Sequence, residues 1–220
     1  MNIIQQHKDA IADRFGQKGL SLMVSRDPEF CGRSINEVGK VSVHPMSQIE
    51  KEDLEQDLAF WLFLVRDERA VACISARRFQ VEDTGFDRHI REIAELRYRS
   101  RSEPIQSVAH PLIEEVSGSL VYFGGIEISA DERGSNKMLC DFAQFAKLTA
   151  AQKWDFDWMY TIIAYQHRRL ADDYGFHWRV RNAIQWTAPA PEGLASDQMI
   201  LATNQAHFEH VLVTVQPGQL

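Results

Sequence analysis

The sequence predicts an α/β fold in which helices pack on a mixed sheet. Apolar runs of strand length alternate along the chain with segments whose apolar residues recur at helical spacing. Two of the runs, 61–66 and 70–76, are separated only by the polar turn 67–69, which is typical of a strand hairpin. The later strands alternate with helices, and this alternation indicates the α/β class.

Composition is that of a globular domain. Of 220 residues, 45% are hydrophobic and 25% are charged, which supplies a core and an ordinary surface. We expect one domain over 1–220, with an N-terminal helical arm at 1–19 and an insertion at 81–111. The arm carries apolar residues at helical spacing and ends at glycines.

Charge and cysteine content exclude several classes of function. A formal net charge of −7 argues against a sequence-independent grip on nucleic acid, which needs a basic face. Cys31, Cys73 and Cys140 follow no disulfide spacing, His207 and His210 lack a third metal ligand, and no run has the 18 apolar residues of a membrane span. We therefore expect a cytoplasmic protein without nucleic-acid or membrane partners and without a bound metal.

The first half of the chain is predicted to hold the arm, the hairpin and an inserted helix. A short strand is expected at 20–24, a loop at 28–45, where periodicity is weak, and an acidic helix at 50–57. The hairpin strands are apolar almost throughout, which indicates burial on both faces. Apolar residues at helical spacing amid charges predict a helix at 86–98, and a loop should follow at 100–111.

The second half is predicted to alternate strands and helices. Gly124 and Gly125 lie inside a strand at 120–129, and a glycine pair there often marks a bulge. Further strands are expected at 158–163, 180–187 and 198–203, and helices at 137–153, 166–173 and 206–212.

A turn at residues 133–136 is the most informative feature. It opens a helix directly after a buried strand, where unpaired backbone N–H groups and the helix dipole favour an anion. Gly134 lets the backbone turn, while Arg133 and Lys137 add positive charge. The alternative is a well-capped turn whose lysine is only solvated.

Residues 128–138, Ile-Ser-Ala-Asp-Glu-Arg-Gly-Ser-Asn-Lys-Met, resemble the acyl-CoA pyrophosphate loop of the GNAT N-acetyltransferases. The order downstream, ending at Tyr174-Gly175-Phe176, is similar to that family's next segment. The resemblance implies a mixed, mostly antiparallel sheet flanked by helices, with a strand that splays at a bulge and leaves a cleft for acetyl-CoA or another acyl-CoA. The residues it assigns to this co-substrate are Ile128, Ser129, Arg133, Gly134, Ser135, Asn136, Lys137 and Met138.

Four positions depart from that pattern, among them Ala164, which stands where the family often has an asparagine. Asn136 and Met138 replace small residues of the family loop, and their side chains would crowd a pyrophosphate. Ala171 stands where the family often has a tyrosine acid. These departures imply either another proton donor or a loss of catalysis.

Glu127 and Tyr160 are the predicted catalytic residues. Glu127 lies in an apolar strand beside the expected cleft, where removal from water would make it a stronger proton acceptor for an amine. Its alternative is an outward-facing glutamate or one paired with an arginine. Tyr160 and Tyr122 are candidate proton donors, although aromatic residues in strands are more often core.

A second resemblance is to acyl-homoserine lactone synthases and N-acyl amino acid synthases. Residues 126–129, Ile-Glu-Ile-Ser, are similar to their Glu-x-Ser-Arg signature, but Ala130 replaces the arginine. This resemblance implies acyl carrier protein as the donor, with the 81–111 insertion as a lid.

The leading prediction is an N-acyltransferase that moves an acetyl or longer acyl group from acyl-CoA to an amine of a small molecule or peptide. Two alternatives stay open. One is a binding or regulatory module that keeps the cleft without turnover, and the other is the carrier-protein-dependent synthase. A homodimer is compatible with the sequence, which identifies neither the acceptor nor the oligomeric state.

Overall fold

The computed structural model describes residues 2–40, 47–81, 85–98, 103–134, 136–191, 194, 198–217 and 219. Its strands are β1 (Ser21–Ser25), β2 (Ala59–Arg66), β3 (Arg69–Val81), β4 (Ile105–Val108), β5 (Gly118–Ile128), β6 (Trp158–Ala164), β7 (Trp178–Trp186) and β8 (Gln198–Asn204). Its α-helices are α1 (Ile3–Gly16), α2 (Pro28–Glu37), α3 (Lys51–Glu55), α4 (Gly85–Arg97), α5 (His110–Glu115), α6 (Asn136–Lys153) and α7 (Gln205–Thr214). Two 3₁₀ segments, Ala130–Glu132 and Tyr165–Ala171, follow β5 and β6.

The described strands form one eight-stranded sheet in the order β1-β2-β3-β5-β6-β8-β7-β4. β5 and β6 are parallel, and each other neighbouring pair in this order is antiparallel. Helices cover both faces. The predicted fold class, a mixed and mostly antiparallel sheet flanked by helices, is therefore confirmed.

Alternation along β2 shows how the two faces of the sheet are divided. Phe60 and Leu62 point into the core under α1, α6 and α7, which we call the α6 face. Trp61 and Phe63 point to the opposite side, where α2 and α3 pack. Helices α4 and α5 cover β5 to β8 on that same opposite side, which we call the α4 face. Both faces of the hairpin are buried, as its continuous apolar character predicted.

The predicted bulge lies in β5. Cys73 pairs with Glu127 while Ser75 pairs with Gly124, so β5 has one more residue than β3 across this interval. The Ser75 hydroxyl donates to the Gly124 carbonyl at 2.9 Å and fixes the irregular backbone. An extra residue bends a strand and increases its twist.

Two segments predicted as loops contain regular structure. Residues 28–37 form α2, because Asp27 caps the helix by accepting from the amides of Glu29 and Phe30, and Pro28 suits a first turn. Weak periodicity hid this helix, but the Asp-Pro start signal was present. In the predicted loop 100–111, β4 instead pairs with β7 and α5 begins at His110.

The described part of the 81–111 insertion is built into the domain. Helix α4 buries Phe86, Ile90 and Ala94 on the α4 face, and β4 extends the sheet edge beside β7. Burial of these three side chains holds α4 against the core through the hydrophobic effect.

We predict that Gly125→Ala destabilises the protein by about 1–3 kcal/mol. Gly125 has φ +64°, and an added Cβ would lie 2.9 Å from the Trp61 ring. The measurement is the free energy of unfolding from chemical denaturation. As a control, Gly16→Ala at the end of α1 meets no atom within 4 Å and should change stability by less than about 1 kcal/mol. Equal stability of the two variants would contradict a strained bulge.

Candidate active site

The site begins where β5 and β6 part. Their parallel pairing covers Leu120–Phe123 and Trp158–Thr161 only, although β5 continues to Ile128 and β6 to Ala164. The bend at the bulge separates residues 124–128 from 162–164. A cavity of about 600 Å³ fills the opening.

The cavity joins both faces of the sheet. Ile126 and Ile128 point to the α6 face, where they pack against its core. On that side a groove of about 260 Å³ runs past Gly134, Met138 and Leu139 at the start of α6. We call it the α6-side groove. A ligand lying in the groove would therefore reach the parted strands from the α6 face.

The α4-face side of the 600 Å³ cavity, which we call the chamber, is lined by different chemistry. Lys40, Ser47, Tyr122 and Glu127 contribute polar groups, and the Tyr122 and Ser47 hydroxyl oxygens lie 3.2 Å apart. Burial raises the pKa of Tyr122 to about 12, so its phenol stays protonated at neutral pH. The chamber thus offers a carboxylate, an ammonium group and two hydroxyls.

Glu127 forms ion pairs with both cations nearest to it. Arg133 Nη2 lies 2.7 Å from Oε1, and Lys40 Nζ lies 3.8 Å from Oε2. The Glu127 side chain is 29% exposed, so it is not enclosed by apolar groups as the sequence suggested. The arginine pairing is the alternative that the sequence left open. Its role as a general base stays a prediction.

At the end of β5, two successive backbone N–H groups point in opposite directions, one into the sheet and one toward the gap between β5 and β6. The Ser129 amide donates to the Val71 carbonyl at 2.8 Å and is used by the sheet. Because successive N–H groups of a strand point to opposite edges, the Ile128 amide faces the parted side. Ile128 is therefore the better placed of these two predicted residues for binding through its backbone.

The turn before α6 is open to an anion. Gly134 has φ +117° with nothing within 4 Å of its Cβ position, so a ligand can approach its backbone closely. Arg133 is 61% exposed and folds back onto β5, where its Nε donates to the Ile128 carbonyl at 2.8 Å. Lys137 is 60% exposed and lies 3.8 Å from Asp141. These groups fit a phosphate-bearing ligand.

The remaining residues of the predicted loop differ in what the structure describes. Met138 is 4% exposed and lines the α6-side groove, so its side chain does narrow the space beside the turn. Asn136 is the first residue of α6. Ser135 lies outside the described residues.

Tyr160 lies in the core of the α4 face. Its side chain is 1% exposed, and its hydroxyl oxygen is 2.9 Å from His89 Nε2. Burial raises its pKa well above the ordinary value and lowers that of His89 to about 4, so both groups stay neutral. Tyr160 does not line the 600 Å³ cavity in the described part of the chain. Its role as proton donor stays a prediction, without support from this geometry.

Tyr174 is a site residue that the sequence did not single out for chemistry. It lines the 600 Å³ cavity, the α6-side groove and a small cavity at the point where the strands part. Burial, with the nearby charges of Asp173 and Glu127, raises its pKa to about 12. Tyr174 lies three residues after Ala171, the position at which the family resemblance implies a tyrosine. The Tyr-Gly-Phe sequence was visible and contributed to the family resemblance and to the predicted helix end, but neither assigned a chemical role to Tyr174.

Lys147 is a buried lysine beside Tyr174. Its Nζ donates to the Gly175 carbonyl at 2.6 Å and lies 4.8 Å from the centre of the Phe176 ring. It also lines the small cavity where the strands part. Burial lowers its pKa to about 7, against an opposing effect of Cys140. The contact ties α6 to the turn that carries Tyr174.

Two further classes of site are not seen in the described residues. No group of three or more His, Cys, Asp or Glu side chains is arranged there to hold a metal ion. None of the helices in the described ranges combines the length and apolar character that crossing a bilayer requires.

Comparisons with known proteins identify neighbours in fold. No protein-family model matches the chain, and no curated protein does. An N-acetyltransferase from Staphylococcus aureus Mu50 is 13% identical over 84% of this chain and 97% of that chain, with a TM-score of 0.47. FeeM, an N-acyl amino acid synthase from uncultured soil microbes, is 11% identical over 87% of this chain and 93% of that chain, with a TM-score of 0.49.

A third neighbour is Arabidopsis thaliana NAA60 in complex with acetyl-CoA. It is 13% identical over 85% of this chain and 99% of that chain, with a TM-score of 0.48. The structural neighbours thus include N-acetyltransferases and an N-acyl amino acid synthase. At this level of identity the likeness is one of chain path.

We predict that Lys147 makes stability rise with pH between about 7 and 10. The unfolded chain keeps this proton up to the ordinary lysine range near 10.5, whereas the folded protein releases it near 7. The unfolded state therefore binds more protons in this window, and unfolding becomes less favourable as pH rises.

The measurement is the free energy of unfolding of wild type and Lys147→Met from pH 6 to pH 10. The free energy of unfolding of wild type should increase with pH relative to that of Lys147→Met. Lys137→Met, an exposed lysine on the same helix, is the matched control and should track wild type. Parallel profiles for wild type and Lys147→Met would show that the buried lysine does not titrate in this window.

Proposed function

We propose that the protein is an N-acyltransferase that moves an acetyl or longer acyl group from acyl-CoA to an amine. The observation that carries this proposal is the parting of β5 and β6 beside the turn that opens α6. The parted strands give two reactants access to one point from opposite faces of the sheet. The turn supplies a site for the phosphates of one of them.

The α6-side groove is the proposed path of the acyl donor. Arg133 and the open backbone at Gly134 would hold the pyrophosphate, with Lys137 adding positive charge. Ile126 and Ile128 would flank the arm that carries the thioester. The Ile128 amide faces the parted strands, where it can donate to the thioester oxygen as that oxygen gains charge.

The chamber is the proposed site of the amine. Glu127 accepts the proton that the amine loses, directly or through water, as the nitrogen attacks the thioester carbonyl. A carbon–nitrogen bond forms, the carbon–sulfur bond breaks, and CoA leaves as a thiolate that takes up a proton. Tyr174 is protonated at neutral pH and can donate a hydrogen bond to the departing sulfur.

A binding module without turnover is the second candidate, and Met138 is the observation that favours it. This buried side chain lines the groove beside the turn, where it limits the space for a pyrophosphate. Binding of CoA without any acylated product would support the module. Acyl carrier protein as donor, and a homodimer, stay predictions.

We predict that Arg133→Ala weakens CoA binding by about tenfold to a hundredfold, because a charge-assisted hydrogen bond to phosphate contributes roughly 1.5–3 kcal/mol. Calorimetric titration with CoA measures this, and adenosine, which has no phosphates, should bind both proteins alike. Arg88→Ala, an exposed arginine on α4, is the control and should bind CoA as wild type does. Unchanged CoA affinity in folded Arg133→Ala would remove the turn from the site.

We predict that the protein releases CoA from acyl-CoA in the presence of an amine, and that Tyr174→Phe lowers kcat roughly a hundredfold with little change in KM. Free thiol and product mass are measured over a panel of amines with acetyl-CoA and longer acyl-CoAs. Tyr160→Phe is run in parallel, since the sequence favoured that residue; we expect a smaller loss of turnover than for Tyr174→Phe. A larger loss for Tyr160→Phe would return the donor role to Tyr160, and no turnover in wild type would exclude the enzyme.

A further inference from the structure

The chamber contains a nearly buried cation on the side from which the amine would enter. The Lys40 side chain is 10% exposed and lines the 600 Å³ cavity. Its ammonium lies 3.8 Å from the nearest Glu127 oxygen, which is longer than a hydrogen bond. Burial of a cation is costly unless an anion compensates it closely, so this contact leaves Lys40 well placed for a second acidic partner.

Glu127 cannot satisfy both of its cations equally. Arg133 holds one of its oxygens at 2.7 Å, and Lys40 approaches the other from a longer distance. Histidine aside, the described lining of the cavity contains three ionised side chains. Two are cations, Lys40 and Arg133, and one is the carboxylate of Glu127. That balance attracts an anionic group into the cavity.

The two cations face different parts of the site. Arg133 lies at the turn before α6 and lines the α6-side groove as well as the cavity. Lys40 follows α2 and lines the cavity but not the groove. With the acyl donor in the α6-side groove, as proposed above, an anion at Lys40 belongs to the amine substrate rather than to the donor.

We propose that the acceptor is an amine with a carboxylate on the adjacent carbon, as in an α-amino acid, and that Lys40 binds this carboxylate. The proposal rests on the proposed function for its chemistry, but the two charged contacts of the substrate are with Lys40 and Glu127. The amine lies toward Glu127 and the carboxylate toward Lys40, so that each charge meets its opposite across one short span. The rest of the substrate contacts Tyr122, Ile162 and Leu194, which favour an apolar side chain.

The test compares L-phenylalanine with 2-phenylethylamine, which has the same ring and amine but no carboxylate. Each is titrated calorimetrically into wild type, with and without saturating CoA. We expect the amino acid to bind at least about tenfold more tightly, because a charge-assisted pair of this kind is among the stronger polar contacts. Equal affinities, or no binding of either compound, would overturn the proposal.

Variants then assign the preference to one residue. Lys40→Met should bring the ratio of the two affinities close to one, and Lys40→Arg, which keeps the charge, should retain most of it. Lys51→Met removes an exposed lysine on α3, 66% exposed, and should leave the ratio as in wild type. A preference that survives in folded Lys40→Met would overturn the assignment of Lys40.

Turnover distinguishes this proposal from the proposed function. Acylation of 2-phenylethylamine but not of L-phenylalanine would sustain the acyltransferase and overturn the carboxylate site. Lys40-dependent binding of L-phenylalanine without acylation of either compound would sustain the site and overturn the enzyme. Acylation of L-phenylalanine at the higher kcat/KM, with the advantage lost in Lys40→Met, would support both.

Discussion

The limit on pairing between β5 and β6 is the constraint on which the rest of the site depends. Two parallel strands of this length would ordinarily pair along their whole overlap and close the sheet. The extra residue at Gly124 and Gly125 turns the second half of β5 away from β6 after four paired residues. The edge of β5 that would have paired with β6 therefore faces a cavity. One irregularity thus exposes the Ile128 amide and connects the two faces of the sheet.

The charges around Glu127 link elements that are far apart in sequence. Arg133 reaches it from the turn before α6, and Lys40 reaches it from the segment after α2. Because Arg133 is 61% exposed, its ion pair contributes little to stability, and the guanidinium can exchange partners at small cost. Lys40 is mostly buried, so its charge costs more to leave unpaired. The same carboxylate therefore has one exposed partner, held at hydrogen-bond distance, and one mostly buried partner at a longer distance.

The turn at 174–176 is held against α6 and carries the phenol of Tyr174. Lys147 holds it to α6 through the Gly175 carbonyl, and the ammonium lies over the Phe176 ring. Tyr174 is thereby fixed at the meeting point of three cavities with its phenol protonated. A buried lysine is a costly way to hold a turn, because its charged form is removed from water.

The sequence alone determined the local features: the hairpin, the glycine bulge, the Arg-Gly turn and the helix after it, because each depends on residues close together along the chain. It missed α2, where the capping signal at Asp27 was stronger than the weak periodicity, and β4, which exists only through its pairing with β7. The site was less accessible to prediction. Only the tertiary structure decided that Glu127 is paired with Arg133 and Lys40, that Tyr160 points into the core and that Tyr174 lines the cavity. These outcomes depend on which face of the sheet each strand presents and on helices that return from distant parts of the chain, and no local pattern encodes either.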